Sequence, residues 1–176
     1  MMMPHSSRYR LLSCAIGFGI IIQALPVFAA EQVMLKFGML RQAIAVTELS
    51  NFAQTGQVPS SLQAYMKLAK KRPEEVRQAL TRTVKLNAVA LDQLLKSPTG
   101  GAVLDQVGEA VYSSTSRNNR VALRTALVQS ASNDGQLSLL EAIQNYPTAQ
   151  VQVESSRVVN AYRQLSQLEK QIRART

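Results

Sequence analysis

Apolar residues recur every three or four positions along most of the chain after Thr47. This spacing places them on one face of a helix and predicts about eight helices packed around a single hydrophobic core. The successive stripes are Leu49, Phe52 and Ala53; Leu62, Tyr65, Met66 and Ala69; Val76, Ala79 and Leu80; Leu91, Leu94 and Leu95; Val103, Leu104, Val107 and Val111; Leu123, Ala126 and Leu127; and Val158, Tyr162, Leu165, Leu168 and Ile172.

Short polar signals set the predicted ends of these helices. Thr47 and Asn87 stand where an N-cap residue is expected, and Gly56 stands where a helix ends. Pro73 suits the first position of a helix. Ser138-Leu139-Leu140-Glu141 is a capping box, because the glutamate carboxylate can accept a hydrogen bond from the serine amide.

The pattern becomes strictly alternating at residues 33–37, where valine, leucine and phenylalanine are separated by methionine and lysine. Gly38-Met39 supplies a turn and residues 40–46 continue the apolar pattern, which predicts a β-hairpin. A third alternating run at residues 150–154 can pair with this hairpin, since a two-stranded ribbon alone is marginally stable in water. The predicted fold class is mainly α (α+β at most), a compact multi-helix domain with a small two- or three-stranded sheet.

The N-terminal segment has the three parts of a signal peptide. Arg8 and Arg10 give a positive start, and Leu11–Leu25 is an almost unbroken apolar run. Cleavage after Ala29 places small residues, Ala29 and Val27, at the two positions that a signal peptidase reads. We therefore expect export, to the periplasm or the thylakoid lumen.

Two alternatives to cleavage remain open. The apolar run is about twenty residues long, near the length that spans a bilayer, so an uncleaved anchor is one alternative. Lipidation of Cys14 is the other, although the apolar core follows this cysteine instead of preceding it. The predicted division of the chain is a signal peptide over residues 1–29 and one helical accessory domain over residues 30–176.

Cleavage would remove the only histidine, His5, and the only cysteine, Cys14. Ser-His-Asp and Cys-His nucleophilic sites, zinc sites and disulfides all need one of these residue types. Carboxylate catalysis would need two acids facing each other across a cleft, and neither Asp92 with Asp105 nor Glu74 with Glu75 indicates one. We therefore predict no enzymatic activity and no catalytic residue.

The chain is basic, with 20 Lys and Arg against 11 Asp and Glu and a formal net charge of +9. Without Arg8 and Arg10 the exported part keeps 18 against 11, or +7. An exported protein of this charge meets an acidic protein partner or an anionic membrane surface rather than nucleic acid. A solvated basic face is the alternative interpretation. The basic residues form three groups: Arg117, Arg120 and Arg124, predicted on one helix face; Lys67, Lys70, Lys71 and Arg72; and Arg157, Arg163, Lys170, Arg173 and Arg175 on the last helix.

One twelve-residue stretch follows the spacing of a helix–loop–helix calcium site. Ser130, Ser132 and Asp134 take positions one, three and five, while Ser138 and Glu141 take positions nine and twelve. These oxygen ligands could hold Ca²⁺, although serine stands at the first position where aspartate is the rule. The alternative is an Asn-Asp-Gly turn between two helices, with the glutamate serving the capping box. No other cofactor is predicted.

A series of short phrases follows in order along the chain. They are Leu35-Lys36-Phe37-Gly38, Phe52-Ala53-Gln54-Thr55-Gly56, Leu94-Leu95-Lys96-Ser97-Pro98-Thr99-Gly100, Asn119-Arg120 with Ala122-Leu123-Arg124, Asp134-Gly135 with Leu137-Ser138-Leu139-Leu140-Glu141, and Asn145-Tyr146-Pro147. In this order they resemble the cyanobacterial domain of unknown function that precedes secreted α/β-hydrolase domains. The resemblance runs from about Glu31 to Leu168.

The resemblance implies that fuller family members carry a downstream domain similar to esterases and lipase-like hydrolases. This chain has no Gly-x-Ser-x-Gly elbow and no histidine after the predicted leader, so hydrolase activity is not carried over. We expect a free-standing accessory domain that docks on a separate hydrolase or on an envelope partner. The alternatives are a weak calcium-binding module and an anionic lipid-surface binder.

Overall fold

The structure, a computed structural model, describes residues 29–174. The predicted signal peptide lies outside the described residues except for Ala29. Residues 29–174 form six strands and eight helices. The strands are β1 (Gln32–Phe37), β2 (Leu40–Ala45), β3 (Thr83–Lys85), β4 (Val111–Tyr112), β5 (Gln136–Ser138) and β6 (Gln150–Glu154). The helices are α1 (Val46–Thr55), α2 (Ser60–Ala69), α3 (Pro73–Thr81), α4 (Ala88–Leu95), α5 (Pro98–Gly108), α6 (Asn119–Asp134), α7 (Leu139–Gln144) and α8 (Val158–Arg173).

The predicted hairpin forms between β1 and β2, which pair antiparallel with Val33 opposite Ile44 and Phe37 opposite Leu40. Gly38 opens the two-residue turn with φ +59°, a conformation that costs glycine little because it has no Cβ. The buried pair Val33 and Ile44 fixes the register, since a slip by one residue would move both side chains to the opposite face.

The main sheet has four strands in the order β2-β1-β6-β4. The predicted third strand, β6, lies parallel to β1, with Val151 beside Val33. The two-residue strand β4 extends the sheet by pairing antiparallel with β6. A separate antiparallel pair joins β3 to β5, with Val84 opposite Leu137. The mainly helical fold class with a small sheet is confirmed, and the sheet has one short edge strand more than expected.

The predicted apolar stripes form the core. All five stripe residues of α8 are buried, as are the four of α2. Helix α2 packs against β2, α5 packs against α8, and α6 packs against α4, α5 and α7. The buried side chains of the described residues form one continuous hydrophobic cluster.

Three predicted helix ends are confirmed by their hydrogen bonds. The Asn87 side chain accepts a hydrogen bond from the Ala90 amide at 3.0 Å. Gly56 ends α1 in the left-handed conformation, φ 77°. In the capping box, the Ser138 amide donates to Glu141 Oε2 at 2.8 Å, and the Glu141 amide donates to Ser138 Oγ at 3.2 Å.

Two local predictions were wrong because neighbouring elements compete for the same residues. Thr47 does not cap α1, since β2 runs directly into a helix that begins at Val46. Val111 does not belong to α5, because that helix ends at Gly108 and Val111 pairs with Val153 as part of β4. In both cases the sheet determines where the helix begins or ends.

Candidate functional site

The hairpin tip, residues 37–40, projects apolar side chains into solvent. Met39 is 100% exposed and Phe37 is 37% exposed. The two side chains are exposed because the tight turn has only two residues between its strands and no other element of residues 29–174 covers it. Large apolar side chains grouped at one end of a fold are typical of a contact surface.

Charged residues surround the hairpin tip. Lys36 and Arg41 lie directly opposite each other across the β1–β2 pair. Lys36 donates a hydrogen bond to the Tyr112 hydroxyl at 2.6 Å, with its ammonium 5.3 Å from the ring centroid. Arg157 forms an ion pair with Glu109 beside the tip. Arg41 forms no ion pair within residues 29–174, so its charge is free to meet a partner.

An open apolar crevice of about 220 Å³ lies next to the hairpin, at the carboxyl ends of the parallel strands β1 and β6. Helices α1, α2, α3, α7 and α8 form its other walls. Leu35 lines the crevice, and Phe37 lies on the same face of β1 because alternate strand residues share a face. Val159, at the start of α8, lines the crevice and is 68% exposed. The crevice therefore adjoins the hairpin tip.

Polar groups occur at only a few places in the crevice wall. The hydroxyls of Tyr65 and Ser155 are hydrogen-bonded at 2.6 Å. Burial raises the pKa of Tyr65 above its usual value, so this phenol stays neutral at physiological pH. Glu75 also lines the crevice, and its hydrogen bond from Arg72 at 2.9 Å lowers the pKa of its carboxyl group. Glu75 is therefore ionised but already paired.

The structure separates most residues of the predicted calcium stretch. Ser130 and Ser132 lie within α6, whose helical turns continue to Asp134. The Ser130 side chain is buried, whereas Ser132 is exposed, so the two hydroxyls do not face a common point. Each donates a hydrogen bond to its own helix, Ser130 to Ala126 at 2.8 Å and Ser132 to Val128 at 2.7 Å.

The remaining members of that stretch serve local structure. Asp134 accepts a hydrogen bond from the Gln136 amide at 2.9 Å, as in a tight turn. Ser138 and Glu141 are brought together, but in the capping box. Across residues 29–174, no three His, Cys, Asp or Glu side chains are grouped so as to hold a metal ion. Calcium binding by this stretch stays a prediction, and the geometry favours the turn.

The basic face predicted for α6 is different in the structure. Arg117 precedes the helix, because Asn118 caps it by accepting a hydrogen bond from the Val121 amide at 3.2 Å. Arg120 forms an ion pair with Asp105, and Arg124 lies 3.7 Å from Asp92. The prediction that the three arginines share a helix face was therefore wrong, and two of them are ion-paired.

The other basic groups differ in how far they are paired. In the group predicted on the last helix, Arg157 directly precedes α8 and pairs with Glu109, and Arg173 pairs with Glu169 at 2.6 Å. Arg175 lies outside the described residues. In the group between α2 and α3, Arg72 pairs with Glu75 at 2.8 Å. Lys67, Lys70 and Lys71 are exposed and make no salt bridge within the described part of the chain. This second group is therefore the one that keeps several unneutralised charges together.

Sequence reasoning did not find the crevice. Its polar wall joins Tyr65 to Ser155, which are 90 residues apart, and no local pattern links them. The one available signal was the alternation of β1 and β6, which places Leu35 and Val153 side by side.

Among residues 29–174, no helix has both the length and the apolar character that crossing a bilayer requires.

No curated protein matches the chain. No solved structure matches it either. A model of the family described as alpha/beta hydrolase of unknown function, DUF1400, matches residues 29–154, well over half of the chain. The chain therefore belongs to this α/β-hydrolase-related family.

Proposed function

We propose that this protein is an exported, non-catalytic accessory domain that docks on a separate protein carrying an α/β-hydrolase domain. The exposed hairpin tip is the observation that carries this proposal. Met39 and Phe37 form an apolar projection, and Lys36, Arg41 and Arg157 lie around it. Apolar anchors surrounded by charged residues are typical of protein interfaces.

Charge and family membership indicate the kind of partner. Arg41 has no carboxylate partner within residues 29–174, and its cross-strand neighbour Lys36 is a second cation whose ammonium is turned toward Tyr112. A partner surface with an apolar pocket and a nearby carboxylate would bury Met39 and pair with the Arg41 guanidinium. The family is described as hydrolase-related, which points to a hydrolase domain as the protein that presents this surface.

The available side chains support an accessory role rather than catalysis. Residues 29–174 contain no histidine and no cysteine. The carboxylates of Asp92, Asp105 and Glu109 each form a salt bridge with an arginine or a lysine. We infer that hydrolysis belongs to the partner, and that this domain contributes binding.

Export is part of the proposal and has its own test. The family match begins at Ala29, which leaves the apolar segment with Arg8 and Arg10 outside it. Mass spectrometry of the protein from its native envelope is expected to give an N-terminus at Ala30. A mature chain that starts at Met1 would contradict cleavage.

Docking is tested with one defined partner, the hydrolase-domain protein of the same organism that carries a Gly-x-Ser-x-Gly elbow. Calorimetric titration of the purified pair is expected to give a saturable complex. Met39→Asp and Phe37→Asp should each weaken it by tenfold or more, about 1.4 kcal/mol, because they place a carboxylate in the apolar contact. The control is Val89→Asp, which changes an equally apolar residue, 68% exposed, on α4. Equal weakening by all three variants, or no binding by the wild type, would contradict docking through the hairpin tip.

A further inference from the structure

The apolar crevice is large enough for a small hydrocarbon. Its volume of about 220 Å³ exceeds the roughly 150 Å³ that accommodates benzene in a protein cavity. Leu35, Val76, Leu80, Val153 and Val158 contribute apolar wall. The crevice is open at the carboxyl ends of β1 and β6, so a hydrocarbon chain can lie in it while a polar end stays in solvent.

The mouth of the crevice is positively charged. Lys71 lines it and makes no salt bridge in residues 29–174, although its charge contributes to lowering the pKa of Glu75. Arg72 pairs with Glu75 at 2.8 and 2.9 Å, so Lys71, Arg72 and Glu75 together carry one net positive charge. The hydroxyl pair of Tyr65 and Ser155 offers further hydrogen bonds inside the wall.

Lys70 does not line the crevice but directly precedes Lys71 in the chain, so it carries a second positive charge close to the mouth, and it stands where glycine would be less strained. It ends α2 with φ 52°, whereas Gly56 and Gly135 take the same left-handed role at the ends of α1 and α6. An L residue loses stability in this conformation. The helix dipole favours a positive charge at the end of α2, but Lys67 in the last turn already supplies one. The dipole therefore does not explain why a lysine occupies the strained position itself.

We propose that the crevice binds the hydrocarbon chain of a single-chain anionic amphiphile, with the acidic head group at Lys70 and Lys71. The shared chemistry is an acyl chain that ends in a carboxylate or a phosphate, as in a fatty acid or a lysophospholipid. The proposal does not depend on docking to a hydrolase, because it uses the crevice rather than Met39.

The test is calorimetric titration of the purified protein with decanoate and with lysophosphatidylglycerol, each below its critical micelle concentration. We expect saturable binding of at least one of them, while decylammonium and decanol bind at least about tenfold more weakly. Binding of decanoate alone would identify the ligand class as free fatty acids, and binding of lysophosphatidylglycerol alone would identify it as lysophospholipids.

Two variants separate ligand binding from folding. Lys71→Glu should weaken binding about tenfold, because it reverses the charge at the mouth. Lys70→Gly should also weaken binding, yet raise Tm by about 2–4 °C through relief of strain. Lys85→Glu, which changes an exposed lysine on β3, is the control and should bind as the wild type does.

Several results would overturn the proposal. These are no binding of either amphiphile by folded protein, equal binding of decylammonium, and unchanged affinity in Lys71→Glu. Pelleting with phosphatidylglycerol vesicles without any binding of the monomeric amphiphiles would also overturn it, since that result indicates a flat electrostatic surface instead of a crevice.

Discussion

The Tyr162 hydroxyl accepts a hydrogen bond from the backbone amide of Leu139 at 2.9 Å. The same hydroxyl lies 3.0 Å from the Ala79 carbonyl oxygen and 2.8 Å from that of Arg82, to one of which it donates. One side chain of α8 therefore joins the end of α3 to the start of α7. Because Tyr162 is buried, these backbone groups have little access to water when the hydroxyl is removed.

Tyr162→Phe is expected to lower the free energy of unfolding by about 1–3 kcal/mol, since it leaves buried polar groups without a partner. Urea denaturation followed by circular dichroism measures this change. The control is Tyr112→Phe, which removes a hydroxyl bonded to the Lys36 side chain at 2.6 Å. That lysine can turn to water, so the control should cost less, and an equal cost would contradict the linking role of Tyr162.

Two buried phenols predict a loss of stability at alkaline pH. Burial raises the pKa of Tyr162 and of Tyr146 from 10.0 to about 12. The unfolded chain releases these protons near its ordinary pKa, before the folded protein does. The stabilisation of the folded state that these raised pKa values provide is therefore fully present below about pH 10, and it is lost as the pH rises toward 12.

The measurement is the urea midpoint between about pH 8 and about pH 11. The midpoint should fall above about pH 10 in the wild type and fall less steeply in Tyr146→Phe or Tyr162→Phe. An identical slope in the double variant that carries both Tyr146→Phe and Tyr162→Phe would show that other groups cause the alkaline loss.

Neighbouring glycines in α5 give a matched pair of substitutions. A Cβ added at Gly100 would lie 2.1 Å from the Leu94 carbonyl oxygen and 2.5 Å from the Leu95 Cα, both backbone atoms. A Cβ added at Gly101 would meet only the Arg120 side chain, at 3.5 Å. The close contact arises because α4 and α5 are joined by a tight connection at Ser97.

Gly100→Ala is expected to lower the free energy of unfolding by roughly 3 kcal/mol or more, because the backbone of α4 must move. Gly101→Ala should raise it by about 0.5–1 kcal/mol, since alanine favours the helix and meets no obstacle. Thermal unfolding of both variants checks the pair. Similar changes in the two would mean that helix propensity, rather than the contact with Leu94, decides both.

The sequence predicted those parts of the fold that depend on local repetition. Helices such as α2 and α8 follow from apolar spacing, because the same residues that favour the helix also supply its buried face. The hairpin and the parallel addition of β6 followed from alternation. The ordered phrases predicted an α/β-hydrolase-related family, which is confirmed; the cyanobacterial source and the position before a hydrolase domain stay predictions.

The remaining elements depend on distant partners. Strands β3 and β5 have three residues each, and Val84 becomes part of a strand only because Leu137 lies opposite it. Arg117 follows no helical pattern in the structure because the cap at Asn118 intervenes. The crevice joins residues from both ends of the described chain, such as Leu35 and Val158. The spacing of apolar residues along the sequence carries no information about contacts between residues so far apart in the chain.

The region between Ser130 and Glu141 supplies the last prediction, on calcium. Ser130 Oγ accepts a hydrogen bond from Asn145 Nδ2 at 3.0 Å, in addition to its bond to the helix backbone. Glu141 Oε2 accepts from the Ser138 amide at 2.8 Å and from the Ser138 hydroxyl at 2.7 Å. Calcium would have to displace these bonds and unwind the end of α6, where Ser132 and Asp134 lie. We therefore expect millimolar Ca²⁺ to produce no binding heat and no rise in Tm.

Glu141→Gln tests the capping role in the same experiment. It should lower the free energy of unfolding by about 1 kcal/mol through loss of a charge-assisted cap, and by the same amount in calcium and in EDTA. Asp134→Asn is the control, because asparagine can still accept a hydrogen bond from the Gln136 amide. A wild-type Tm that rises with calcium, together with loss of that rise in Glu141→Gln, would instead establish the calcium site. The capping interpretation requires that the effect of Glu141→Gln be independent of the metal, since the bond between Glu141 and Ser138 forms without it.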